Sequence, residues 1–139
     1  MFIFVQANKM KKLIIISGIL SAVGVIMGAF GAHALKELLS ELQLRSYETG
    51  VKYHLVHSIA ILILALLYHQ TKIKLFYTAG MLMFIGILLF SVSIYLLSCK
   101  ELLNIESWSF LGPITPIGGT LFISAWVLVC LAGYKLKND

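Results

Sequence analysis

The sequence predicts an all-α protein, a polytopic membrane protein built as a bundle of four transmembrane helices. Of its 139 residues, 60% are hydrophobic and only 12% are charged, whereas a soluble domain has roughly 45–50% and about 25%. The mean hydropathy of +0.95 leaves too few polar side chains to cover a core in water. This composition excludes a soluble enzyme, a disordered regulator and a free nucleic-acid binder. The length suits one integral membrane domain over residues 1–139.

Four stretches are apolar enough to cross a bilayer, because about 20 apolar residues span a hydrocarbon core of ~30 Å. Three of them contain no Asp, Glu, Lys, Arg or His: Leu13–Ala32, Leu75–Cys99 and Ser107–Tyr134. The stretch Leu55–Tyr68 is shorter and contains His57, so we expect its polar end to pack against protein rather than lipid. The predicted spans are residues 13–35, 51–69, 75–99 and 116–134.

The distribution of basic residues predicts the orientation of the helices. The N-terminal tail, the connection between helices two and three and the C-terminal tail together carry seven lysines, whereas the other side carries four basic residues. Cytoplasmic segments hold the excess of Lys and Arg. We therefore expect a multi-pass protein of the bacterial cytoplasmic (plasma) membrane with both termini in the cytoplasm.

The first apolar stretch has an alternative interpretation. Lys11 and Lys12, the apolar run and the sequence Ala32-His33-Ala34 are together typical of a signal peptide with an A-x-A cleavage site. The run is longer than the ~7–15 apolar residues of such a signal, so we favour a retained span. Met10, which precedes two lysines, is an alternative start of the chain.

The connection between helices one and two, residues 36–50, is the longest polar stretch. The leucines at positions 35, 38, 39 and 42 recur at i, i+3, i+4 and i+7, which is typical of an amphipathic helix lying at the membrane interface. We expect an amphipathic outer connection that acts as a linker, and a lid over the bundle is the alternative.

The start of helix four has a specific backbone pattern. Thr115 followed by Pro116 is typical of an N-cap with proline at the first helical position, which predicts a helix from Pro116 to about Tyr134. Gly112 and Pro113 before it, and two glycines after it, indicate a re-entrant or tightly turned entry that is buried in protein or faces water.

In helix one, Gly24 and Gly28 form a GxxxG pair. Small residues at this spacing let helix backbones approach closely in a membrane. We expect this contact within the monomer, and a dimer interface is the alternative.

The sequence contains no catalytic motif: it has no CxxC, no Ser-His-Asp order and no glycine-rich phosphate loop. Cys99 and Cys130 differ by about 21 Å in depth along the predicted helices, which is too far for a disulfide. We therefore expect no enzyme, no catalytic residue and no cofactor.

Ionisable residues gather at the outer ends of helices one and two, where charges near the membrane interior are candidates for function. They are His33, Glu48, Lys52, His54 and His57. Three imidazoles near one level would suit a metal, a haem or a proton relay. We favour His33 and His57 as hydrogen-bonding links between helices, because no further ligands occur at metal-site spacing. The candidate binding residues are His33, Glu48 and His57, with no metal.

Three motifs, in this order, resemble one known family. They are Gly28-Ala29-Phe30-Gly31-Ala32-His33-Ala34-Leu35-Lys36, then Thr49-Gly50-Val51 with Tyr53 and His57, then Gly112-Pro113-Ile114-Thr115-Pro116-Ile117-Gly118-Gly119. The family is the small bacterial inner-membrane family called domain of unknown function 423, with YgdD-like and YwdK-like members and transmembrane protein 256 as a eukaryotic relative. The resemblance covers about residues 10–135 and implies a polytopic plasma-membrane protein with no assigned activity.

The resemblance also bears on single residues. His33 and His57 stand where the family pattern has histidine, whereas Lys52 and His54 stand where it leads us to expect uncharged polar residues. This departure argues against a site that requires Lys52 or His54. The structural positions that the GxxxG pair and the motifs single out are Gly24, Gly28, Gly31, Gly50, Pro113, Thr115, Pro116, Gly118 and Gly119.

Three functional hypotheses remain open at this point. We favour a structural or accessory membrane protein that contacts the lipid bilayer and packs against itself, as a homo-oligomer, or against a membrane-protein partner, with no nucleic acid. The alternative is an oligomeric small transporter or channel subunit that uses the outer polar cluster around His33 and His57. The third is a haem or metal protein that uses the same two histidines.

Overall fold

A computed structural model of the protein describes residues 2–105, 107–108 and 110–136, with side chains from Ala7 onwards. Four α-helices account for most of these residues: α1 (Phe2–Ala32), α2 (Glu41–Thr71), α3 (Lys74–Ser98) and α4 (Leu111–Tyr134). Each helix is long and apolar enough to cross a membrane, and the described residues contain no strand. The prediction of an all-α protein with four membrane-spanning helices is confirmed.

The helices alternate in direction, so their connections gather at two ends of the molecule. Residues 33–40 and the described residues between α3 and α4 (99–105, 107–108 and 110) lie at one end, which we call the loop end. The short turn between α2 and α3 lies at the other, which we call the turn end. There Lys72 adopts a left-handed conformation with φ of 61°, and its N–H donates to the Tyr68 carbonyl at 3.0 Å. This arrangement closes α2 and makes α2 and α3 antiparallel neighbours.

The α1–α2 connection differs from the predicted amphipathic helix. Residues 33–39 form turns, and α2 begins at Glu41 and runs through Gly50 into the span without a break. The reason is a capping box: the Ser40 hydroxyl accepts from the Gln43 N–H at 3.4 Å, and the Gln43 side chain accepts from the Ser40 N–H at 2.9 Å. Residues 41–50 therefore extend α2 by about 15 Å instead of lying flat on the membrane.

The start of α4 also differs from the prediction. The helix begins at Leu111, so Pro116 lies inside it and the expected re-entrant entry is wrong. Pro113 lies in the first turn of α4, where a backbone N–H has no carbonyl partner within the helix, so the N–H that proline lacks removes no helical hydrogen bond. Pro116 leaves only the Gly112 carbonyl without its intrahelical donor. Thr115 is not an N-cap, because its hydroxyl shares a 2.6 Å hydrogen bond with the Ser93 hydroxyl of α3.

α2 and α3 form the central pair, with α1 and α4 on opposite sides. α1 packs along α2 and touches α3 only briefly, while α4 packs along α3. The backbones of α2 and α4 do not come into close contact in the described residues, so only side chains bridge the space between these two helices. The buried apolar core contains residues of all four helices, among them Leu13, Ile61, Met83 and Phe122.

Glycines set the closest helix contacts. A Cβ at Gly24 would lie 2.7 Å from Leu55 Cδ2, and one at Gly31 would lie 2.9 Å from Tyr47 Cε1. Both contacts join α1 to α2, so the GxxxG side of α1 packs within the monomer, as predicted. The backbones of α3 and α4 approach each other even more closely, because a Cβ at Gly118 would clash with the backbone nitrogen of Phe90.

Candidate functional site: a histidine-centred polar layer

The structure does not bring the predicted polar cluster together. His33 lies exposed in the turns after α1, and Glu48 lies on the exposed side of α2. His57, in contrast, is only 4% exposed. No group of three or more His, Cys, Asp or Glu side chains in the described part of the chain could hold a metal ion. Of the three candidate binding residues, His33, Glu48 and His57, only His57 therefore lies in the interior.

The ring of His57 is held by two hydrogen bonds and a stacking contact. Its Nδ1 lies 2.8 Å from the Tyr53 carbonyl, and because a carbonyl only accepts, Nδ1 carries the hydrogen. Nε2 is then unprotonated and accepts a hydrogen bond from Trp126 Nε1 of α4 at 3.2 Å. The ring also stacks on Phe122, with centroids 3.6 Å apart and planes 11° from parallel.

This geometry defines a neutral imidazole with both nitrogens in use. Protonation would place an N–H of His57 opposite the N–H of Trp126, and two donors cannot satisfy each other. A metal or haem iron would likewise need Nε2, and so would have to displace Trp126. The arrangement fits the favoured interpretation of His57 as a hydrogen-bonding link between helices.

His54 contacts a different pair of helices, α1 and α3. It is 2% exposed, and its Nδ1 lies 3.1 Å from the Tyr95 hydroxyl of α3. Its Nε2 has no hydrogen-bond partner within the described residues, and its Cδ2 lies beside Gly24 of α1. Since His54 faces α1 and α3 while His57 faces α4, the two rings do not form a shared site, although they are only three residues apart.

Each pair of helices that packs closely is joined by a polar bond. Ser17 of α1 donates to the Ser58 carbonyl of α2 at 2.8 Å, and the Tyr47 hydroxyl of α2 donates to the Met27 carbonyl of α1 at 2.9 Å. The Tyr95 hydroxyl of α3 bonds to His54 of α2, and the Ser93 hydroxyl of α3 bonds to the Thr115 hydroxyl of α4. Such bonds hold helices together where lipid removes the hydrophobic drive for association.

Sequence reasoning missed several of these residues. Ser17 and Tyr95 are not among the residues that the sequence singles out. Neither Ser58 nor the pairing of Trp126 with His57 was predicted. The available signal was the presence of hydroxyl and indole groups within apolar spans, because such groups need partners there. Their partners depend on how the helices pack, which the sequence does not state.

Two cavities lie beside this polar layer. One, of about 260 Å³, lies at the surface of α2 and is lined by Lys52, Tyr53, Val56 and His57. The other, of about 330 Å³, lies at the loop end among apolar side chains and beside Tyr47, Tyr95 and Cys99. The only ion pair among the described residues joins Arg45 to Glu41 at 2.6 Å on the exposed start of α2.

Comparison with known proteins finds similarity to uncharacterised membrane proteins over most of the chain. A family model described as Protein of unknown function (DUF423) matches residues 27–119. The UPF0382 membrane protein YwdK of Bacillus subtilis is 40% identical over 127 residues, which cover 91% of this chain and 98% of the relative. The UPF0382 inner membrane protein YgdD of Escherichia coli K12 is 32% identical over 128 residues, or 92% of this chain and 93% of the relative. No solved structure matches the chain, and the family resemblance predicted from the motifs is confirmed.

Proposed function

Because the chain belongs to the DUF423 family of membrane proteins of unknown function, we propose that it is a structural or accessory protein of the bilayer without catalytic activity. In this proposal its work is done by helix packing, against a second copy of itself or against another membrane protein. The polar groups in its interior serve to hold the four helices in one arrangement.

This proposal rests on the observation that both ring nitrogens of His57 already make hydrogen bonds. A residue that moves protons or binds a metal needs a free ring nitrogen, whereas both nitrogens of His57 are bonded, to the Tyr53 carbonyl and to Trp126. His33 and Glu48 lie exposed and away from this ring. The polar cluster that motivated a transporter or channel subunit, or a haem or metal protein, is therefore not assembled around His57.

Native mass spectrometry of the protein, extracted gently from its own membrane, tests this proposal. We expect a defined complex with another membrane protein or with a second copy, and no stoichiometric metal or cofactor. The purified protein in liposomes is then assayed for flux of protons, ions and metabolites, beside His57→Ala and the lipid-facing control Ile59→Ala. A saturable flux that His57→Ala abolishes and Ile59→Ala preserves would overturn the accessory role.

We further propose that the protein lies in the plasma membrane with both termini in the cytoplasm. The side with the two termini carries seven lysines and the other side carries four basic residues, and this excess supports the orientation. Four spans place both termini on one side of the membrane. C-terminal fusions test it: a green fluorescent protein fusion is expected to fluoresce and an alkaline phosphatase fusion to be inactive. The reverse pair of results would invert the orientation and leave the accessory role untouched.

A further inference from the structure

We propose that the cavity beside Lys52 on α2, which we call the Lys52 groove, binds one anionic phospholipid. Its lining residues are Lys52, Tyr53, Val56 and His57. The lipid phosphate is placed on the Lys52 ammonium, and a segment of one acyl chain lies along Val56. This inference concerns a ligand and a site that are separate from the accessory role.

The groove lies on α2, beside the side chains that join this helix to α3 and α4. The backbones of α2 and α4 do not touch in the described residues, and the space between them is bridged by the His57 ring stacked on Phe122 and bonded to Trp126. One turn nearer the loop end, Tyr53 packs against Phe90 of α3 with centroids 4.8 Å apart. Next to this layer about 260 Å³ stays unfilled by protein, and in this proposal a segment of a lipid chain fills it.

Lys52 lies at the depth of the lipid phosphates. It precedes Lys72 of the turn end by 20 residues on α2, which corresponds to about 30 Å along a helix. This length equals the thickness of a typical hydrocarbon core. When the turn-end lysine marks one membrane interface, Lys52 therefore lies at the opposite one, where a lysine stem runs along apolar surface and its ammonium reaches the headgroups.

The charge of Lys52 is not neutralised within the described protein. The only ion pair there is Arg45 with Glu41, and Glu48, one helical turn from Lys52, does not pair with it. An exposed cation beside an apolar groove at this depth selects a negatively charged headgroup. A zwitterionic phospholipid carries its own ammonium and so offers Lys52 less net attraction, which favours an anionic lipid such as phosphatidylglycerol.

Native mass spectrometry with a defined lipid mixture tests the site. The purified protein is reconstituted in equal amounts of phosphatidylglycerol and phosphatidylcholine, extracted in mild detergent, and the retained lipids are counted. We expect one phosphatidylglycerol per chain. Lys52→Gln is expected to lower its retention about fivefold, since one lysine near an anionic surface contributes about 1 kcal/mol. Lys52→Arg should retain the lipid, and Lys36→Gln, which removes an exposed lysine at the same end, should leave retention unchanged.

A second pair of variants tests the groove without changing any charge. Val56 is 50% exposed in the groove, and Ile59 is 54% exposed on the same helix but does not line the groove. Val56→Trp should fill the groove and lower phosphatidylglycerol retention, whereas Ile59→Trp should not. Equal retention of phosphatidylglycerol in the wild type and Lys52→Gln, equal retention of the two lipids by the wild type, or a wild type that carries a protein in place of lipid would each overturn the proposal.

Discussion

Removing the indole donor at Trp126 is the perturbation that best tests the polar layer. Trp126→Phe leaves Nε2 of His57 without its 3.2 Å partner in a position that is 4% exposed. Hydrogen bonds between helices in a membrane average about 0.6 kcal/mol and reach about 1.7, and an unpaired buried polar atom costs about 1–3 kcal/mol. We therefore expect Trp126→Phe to lower the free energy of unfolding by about 1–2 kcal/mol.

The partner substitution His57→Phe makes this expectation specific. A phenyl ring at position 57 keeps the stacking on Phe122, and the Trp126 N–H that it leaves unpaired belongs to a side chain that is 45% exposed. In the double variant both polar groups are replaced by apolar rings, a change that is nearly neutral when shape is kept. We expect the double variant to cost less than the sum of the two single variants by at least about 0.5 kcal/mol.

The measurement is a double-mutant cycle in mixed micelles. Unfolding of each purified variant is followed by circular dichroism while the fraction of dodecyl sulfate is raised, and the four free energies of unfolding are compared. The loss of indole volume occurs on both sides of the cycle and cancels. If the cost of the double variant equals the sum of the two single costs, His57 and Trp126 are not coupled, and the reasoning about the saturated imidazole is wrong.

Two further predictions concern single contacts. Gly118→Ala should destabilise the protein by about 1–3 kcal/mol, the range for overpacking, because the new methyl meets the Phe90 backbone. Gly133→Ala is the matched control in α4, because nothing lies within 4 Å of a Cβ there, and equal stability of the two variants in the same unfolding assay would contradict the close α3–α4 approach. Burial raises the pKa of the Cys99 thiol above its ordinary value of 9.0, so its thiolate forms only at higher pH. In Cys130→Ser protein we expect the rate of maleimide labelling to be still rising above pH 9 and the unfolded chain to label faster below it, and a plateau below pH 9 would contradict the burial.

The ends of the helices show how local patterns compete. The sequence Ser40-Glu41-Leu42-Gln43 is a capping-box pattern, so the true start of α2 was visible locally. The leucine periodicity of residues 35–42 favoured a separate interfacial helix instead. In the structure Leu39 is buried while Leu38 and Leu42 are exposed, so these leucines do not share one face. A local cap therefore outweighed an apparent periodicity.

The start of α4 could not be chosen by local rules. Pro113 and Pro116 each fit the first turn of a helix, and Thr115 fits an N-cap as well as it fits a helix interior. Tertiary contacts decide the matter, because Thr115 finds a hydroxyl partner in Ser93 and Gly118 packs on the backbone of Phe90. Both contacts are typical of a helix that is already formed at those positions.

By itself, the sequence determined the number of spans, their apolar centres and the packing side of α1. These features depend on hydropathy and residue size summed over neighbouring positions, so a local pattern contains them. Only the tertiary structure decided which polar residues meet. The backbone places His54 and His57 three residues apart, but the helices packed against α2 turn one ring towards Tyr95 and the other towards Trp126. A hydrogen bond between helices depends on the relative position of two segments, and that position is set by the whole set of contacts.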